Sequence, residues 1–223
     1  IESSTWAVGY DRLISFRRGV KTHFGPLMRQ ELKANYLIRN AGGLRPLGLS
    51  PSQRGLIYAY HLNQLARIQA RAFAIVVDKA ASGAVGSGCL ELAWGTLLQR
   101  LERTTHYDEN DLMIVHDEGE DAAVRKLVRR SRRHLTAGSY FGGTTFHNPF
   151  RRLIEDPTAR SSHESISQIA DLVAYAGWRT YVPPGPGAAK VVPSTMWNQL
   201  GSAIHRPVNS LSRVGAPGVV VRK

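Results

Sequence analysis

The stretch Ala72-Phe73-Ala74-Ile75-Val76-Val77-Asp78 is a continuous apolar run rich in β-branched residues, closed by an acid. That pattern is the signature of a strand buried on both faces. On its N-terminal side, Ser50-Pro51 opens a helix, serine suiting the N-cap and proline the first helical position, with Leu56, Ile57, Tyr60, Leu65 and Ile68 forming a face for a sheet. On its C-terminal side a Gly/Ser loop, residues 80–88, precedes a helix carrying Leu90, Trp94, Leu97, Leu98 and Leu101, and then the short run Leu112-Met113-Ile114-Val115. A helix over 120–135, a strand-like segment over 144–154 interrupted by Asn148-Pro149, and a helix over 165–181 continue the alternation. The expectation is an α/β fold with a parallel sheet segment flanked by helices.

Outward from this centre, residues 5–24 place Trp6, Tyr10, Leu13, Ile14, Arg17 and Arg18 at helical spacing, a basic amphipathic helix stopped by Gly25-Pro26. The Pro/Gly run 183–187 reads as a linker, and Met196 onward as a short helix with an extended end. The expected organisation is one domain over 1–182 with residues 183–223 as an extension packed on it.

Lys and Arg number 29 against 17 Asp and Glu, a net charge of +12, which attracts polyanions and makes nucleic acid, DNA or RNA, the leading partner. A protein partner for the same basic surface is the alternative. Cys89 is the single cysteine, so no intrachain disulfide exists, and the expected home is the reducing cytoplasm. No apolar run approaches the ~20 residues of a membrane span.

Asp78 and Asp117 each follow a strand, and the two strands are expected to lie in one parallel sheet, beyond whose carboxyl ends ligands bind, although aspartates in such places also cap helices. Asp171 interrupts Ile166-Ser167-Gln168-Ile169-Ala170-Asp171-Leu172-Val173-Ala174-Tyr175, apolar or small around most of the helix, so a buried carboxylate is expected there, with Gln168 and Tyr175 on its face. An ion pair with Arg179 is the other reading of that acid. The three aspartates are expected to converge on Mg²⁺ or Mn²⁺, hard cations that carboxylates suit and that serve phosphodiester hydrolysis. Lys79 is the cation expected to stand in if such a site has decayed. His116, beside Asp117, is the one histidine singled out. The densest basic feature is Arg125, Lys126, Arg129, Arg130, Arg132 and Arg133, expected to fan over one face of a helix and grip phosphates, with a solvated or protein-binding face as the alternative.

The segment Gln168-Ile169-Ala170-Asp171-Leu172-Val173-Ala174-Tyr175 resembles the Q-x-A-D-hydrophobic-hydrophobic-A-Y signature of the bacterial and phage DUF3800 proteins. Glu31-Leu32-Lys33 resembles that family's E-L-K element, and Ala74 to Lys79 its strand ending in Asp-Lys, in the same order; the likeness covers most of residues 5–180. It implies an RNase H-like mixed sheet flanked by helices and metal-dependent nuclease activity, with Glu31, Asp78, Asp117 and Asp171 as the site and Lys33 and Gln168 in support. The family opens with a strand bearing Asp-Glu-Ser, which nothing at the start of this chain matches. Two functions follow: a nuclease-like phosphodiesterase, or a non-catalytic nucleic-acid- or protein-binding module of a phage or bacterial defence system that kept the fold without the first acid.

Overall fold

Ser50 fixes the start of the central helix by a reciprocal cap: its hydroxyl accepts the Gln53 N–H at 3.2 Å while the Gln53 side chain accepts the Ser50 N–H at 2.9 Å. The computed structural model describes residues 3–133, 135–138, 145–148, 150–160, 165–210, 212 and 214–223. Its elements in chain order are α1 (Trp6–Phe24), α2 (Ala34–Arg39), α3 (Pro51–Arg67), β1 (Ala74–Val77), α4 (Lys79–Ser82), α5 (Ser87–Asp108), β2 (Val115–Asp117), α6 (Asp121–Ser131), β3 (Leu135–Gly138), β4 (Thr145–Asn148), β5 (Thr158–Arg160), α7 (Ser165–Tyr181), α8 (Pro186–Ala189) and β6 (Val219–Arg222). Single turns of 3-10 helix occur at Ser3–Thr5 and Arg206–Asn209, with longer stretches at Gly42–Leu47 and Ser194–Ala203. The fold is thus mixed helix and strand.

The strands form three separate pairs among the described residues. β1 pairs with β6, β2 with β5 in parallel, and β3 with β4 antiparallel. This corrects the expectation that the strands before Asp78 and Asp117 share a sheet: β1 takes its partner from the C-terminal Val219–Arg222 run instead of from β2. A second correction concerns the helix expected to reach residue 135. It stops at Ser131, and Leu135 begins β3, paired with Asn148.

The chain divides into two compact units, residues 1–74 with 162–220, and residues 75–161 with 221–223. The first unit is helical. Leu13 and Val20 of α1, Ile57, Tyr58, Leu62 and Leu65 of α3, and Ile169, Leu172, Val173 and Ala176 of α7 are all buried in it, with the residues beyond 182 contributing Val191, Val192, Trp197 and Leu200. Gly177 permits the closest approach: a Cβ there would lie 2.5 Å from the Ala74 Cβ and 3.1 Å from the Trp197 ring. The indole Nε1 donates to the Pro217 carbonyl at 2.9 Å, so the one polar atom of this buried side chain is satisfied.

Two buried arginines brace the loops of this unit. Arg17 donates to the Gln30 carbonyl at 2.8 Å and the Met28 carbonyl at 3.1 Å, and Arg54 donates to the carbonyls of Leu37, Ile38 and Leu49. The sequence pattern placed Arg17 on a basic face; it is 3 % exposed. The second unit has a smaller core, Leu98, Ile114, Val124, Val128, Phe150 and Leu153, with Trp94, Leu101 and Leu112 packed against it. Among the described residues no helix is long and apolar enough to cross a membrane.

Candidate nucleic-acid interface

The residues singled out for metal chemistry fall into both units, Glu31 and Asp171 in the first, Asp78 and Asp117 in the second. Asp78 is the N-cap of α4, its Oδ1 accepting the Ala80 and Ala81 N–H groups at 3.1 Å each. The capping role weighed against ligation is the one it performs here, and Lys79 is simply the first residue of that turn. Asp117 ends β2 exposed to solvent, in register with Arg160 of β5. His116 donates from Nδ1 to the Asp117 carbonyl at 2.7 Å and sits edge-on to Trp94, its Nε2 3.7 Å from Asp121.

Asp171 is exposed, which corrects the expectation of a buried carboxylate. The helix α7 buries Gln168, Ile169, Leu172, Val173 and Ala176 and presents Ala170, Asp171 and Ala174 outward; the alanines read as core in sequence because a methyl group suits either side. Its Oδ2 accepts the Ala34 N–H at 2.8 Å, at the first turn of α2, where a negative charge also complements the helix dipole. One turn back, the buried Gln168 accepts the Leu32 N–H through Oε1 at 3.1 Å. The segments Glu31–Ala34 and Gln168–Asp171, far apart in sequence, are therefore clasped by two side-chain acceptors on two backbone donors. Glu31 pairs with Lys33 at 2.9 Å. Arg179 donates from Nη2 to the Tyr175 hydroxyl at 2.6 Å, with its guanidinium 3.8 Å from the Trp178 ring centre.

Among the described residues no group of three or more His, Cys, Asp or Glu is placed to hold a metal ion.

The basic helix is the feature that the structure turns into a surface. Val124, Val128 and Ser131 of α6 are buried, and the opposite side carries Arg125, Lys126, Arg129, Arg130 and, just past the helix end, Arg133, all exposed or nearly so. With Ala122 they line an open groove of about 600 Å³. Their spacing, 125/126, 129/130 and 133, repeats every helical turn, so the cations form one stripe instead of circling the helix. Arg132 is apart from it, half-buried, with Nη2 3.5 Å from the Leu153 carbonyl. Sequence reading did not foresee the acids that meet the stripe. Asp156 takes a two-nitrogen grip from Arg129, at 3.0 and 2.6 Å, which holds its carboxyl below the usual carboxylate range, and Glu91 lies 3.8 Å from Arg130. Both pairs are solvated, so salt screens them.

The charge is unevenly divided between the two units. The first contains 15 Lys and Arg against 5 Asp and Glu, a net of +10, and the second 14 against 12, a net of +2. The first unit thus carries most of the chain's net positive charge. No family model, curated protein or solved structure matches this chain.

Proposed function

We propose that this protein binds nucleic acid through the phosphate backbone, with α6 as a contact surface. The observation that supports the reading is the stripe Arg125, Lys126, Arg129, Arg130 and Arg133, presented along one face and anchored from behind by Val124 and Val128. Guanidinium forks bind phosphate oxygens bidentately, and contacts of this type fix position without reading bases, so binding is expected to tolerate sequence. Replacing Arg125, Arg129, Arg130 and Arg133 by Ala should reduce the slope of log affinity against log salt on duplex DNA by roughly 0.9 for each phosphate that is no longer neutralised. Arg132→Ala, aimed at the Leu153 carbonyl, should leave that slope alone. An unchanged slope in the four-arginine variant would assign α6 to a protein partner.

Metal-dependent nucleic-acid cleavage on an RNase H-like fold is the second reading. It draws support from the clasp, because the two elements that resemble the DUF3800 motifs are the ones joined by Gln168 and Asp171. Its cost is the carboxylate set, which is occupied in part with backbone donors. Under this reading added Mn²⁺ produces cleavage that Asp171→Asn abolishes; under the first, Asp171→Asn leaves nucleic-acid binding intact and no divalent ion elicits cleavage.

A further inference from the structure

α1 carries two large aromatic side chains in solvent, Trp6 at 46 % and Tyr10 at 47 % exposure, with their rings nearly parallel at 21° and 6.4 Å between centres. They occupy positions i and i+4, and the same ridge continues through half-buried Ile14 to exposed Arg18, with exposed Lys21 one turn further on. The helix rises 1.5 Å per residue, which sets Arg18 ~12 Å beyond Tyr10 along the ridge. Asp11 is the only acid in α1, and it lines a different groove, shared with Val8, Arg12, Ser15 and Arg67. The ridge belongs to the unit whose net charge is +10.

We infer that this ridge is a stacking platform for single-stranded nucleic acid, with unpaired bases on Trp6 and Tyr10 and the phosphates that follow on Arg18 and Lys21. An exposed aromatic pair leaves apolar area in water, and a flat base covers it without needing a particular hydrogen-bond pattern. The cations at the far end of the ridge select a polyanion over an apolar peptide. A duplex keeps its bases inside and offers the rings nothing, so the preference is for single strands. The inference stands apart from α6, whose residues lie in the other unit.

The test is titration of the full chain with a labelled oligothymidylate and, separately, with a duplex of equal length. Trp6→Ala/Tyr10→Ala should weaken single-strand binding at least tenfold, since both stacking surfaces are lost, and leave duplex binding unchanged. Trp6→Phe/Tyr10→Phe should restore most of the loss, and Arg18→Ala/Lys21→Ala should flatten the salt dependence for the single strand alone. Unaltered single-strand affinity in the alanine pair overturns the proposal, as does a phenylalanine pair as weak as the alanine pair. The four-arginine variant of α6 separates the two readings: if it loses duplex but not single-strand binding, both stand, and if it changes nothing, only the α6 reading fails.

Discussion

Acidification is expected to cost the folded chain roughly 3 kcal/mol through His61 alone, as its pKa falls from 6.5 to about 4 on folding. The cause is burial, since the imidazole is enclosed by Phe16, edge-on at 4.7 Å, Arg17 and the α3 backbone. Nδ1 lies 2.6 Å from the Ile57 carbonyl and must donate to it, leaving Nε2 as the lone pair that faces Arg17 Nη1 at 3.4 Å. A proton on Nε2 would meet the guanidinium with like charge. The unfolded chain takes that proton near pH 6.5 and the folded chain only near 4, so between those values the unfolded state binds more protons. This contribution is therefore fully present above 6.5 and is withdrawn as the pH drops toward 4. Urea unfolding of the wild type and of His61→Gln across that window is the check. The variant should lose less stability on acidification by the stated amount, and parallel pH profiles would place the proton elsewhere.

Truncating Trp197 is expected to remove about 3–5 kcal/mol, a large part of the 5–15 kcal/mol that typically holds a domain together. The indole is 1 % exposed and is flanked by two glycines whose absent side chains make room for it: a Cβ on Gly177 would stand 3.1 Å from the ring, and one on Gly218 3.2 Å. Trp197→Ala leaves a cavity beside backbone that cannot close on it, and it orphans the Pro217 carbonyl. Gly177→Ala should err in the other direction, costing about 1–3 kcal/mol by driving a methyl group into Ala74. A denaturation midpoint for Gly177→Ala at or above the wild type would show that α7 yields at this contact. Trp197→Phe keeps most of the ring and should fall between the wild type and Trp197→Ala.

The elements most legible in the sequence were those defined by local chemistry. Ser50 with Pro51 marked the start of α3, Gly25 marked the end of α1, and the apolar period over 165–181 gave the bounds of α7. Strand pairing was not legible, because the run Val219–Arg222 carries no local mark of the partner it chooses. The clasp between Glu31–Ala34 and Gln168–Asp171 was hidden for a related reason. Its acceptors are side chains, but its donors are backbone amides that look alike at every position. The basic stripe of α6 was visible as composition. That Arg132 leaves it and that Asp156 and Glu91 enter it depends on contacts made across the unit.

Arg17 and Arg54 hold their charge against backbone carbonyls, which are dipoles and carry no net charge. Counterions screen charge–charge attractions between exposed groups over about 10 Å at 0.1 M salt, but they have little purchase on a guanidinium enclosed by amide oxygens. The surface of the molecule and its interior should consequently answer to different variables. If α1 binds nucleic acid as proposed, added salt should release it from the exposed Arg18 and Lys21 while the loops braced by Arg17 and Arg54, in the same unit, stay in place, so ligand can be stripped and returned repeatedly without loosening that unit.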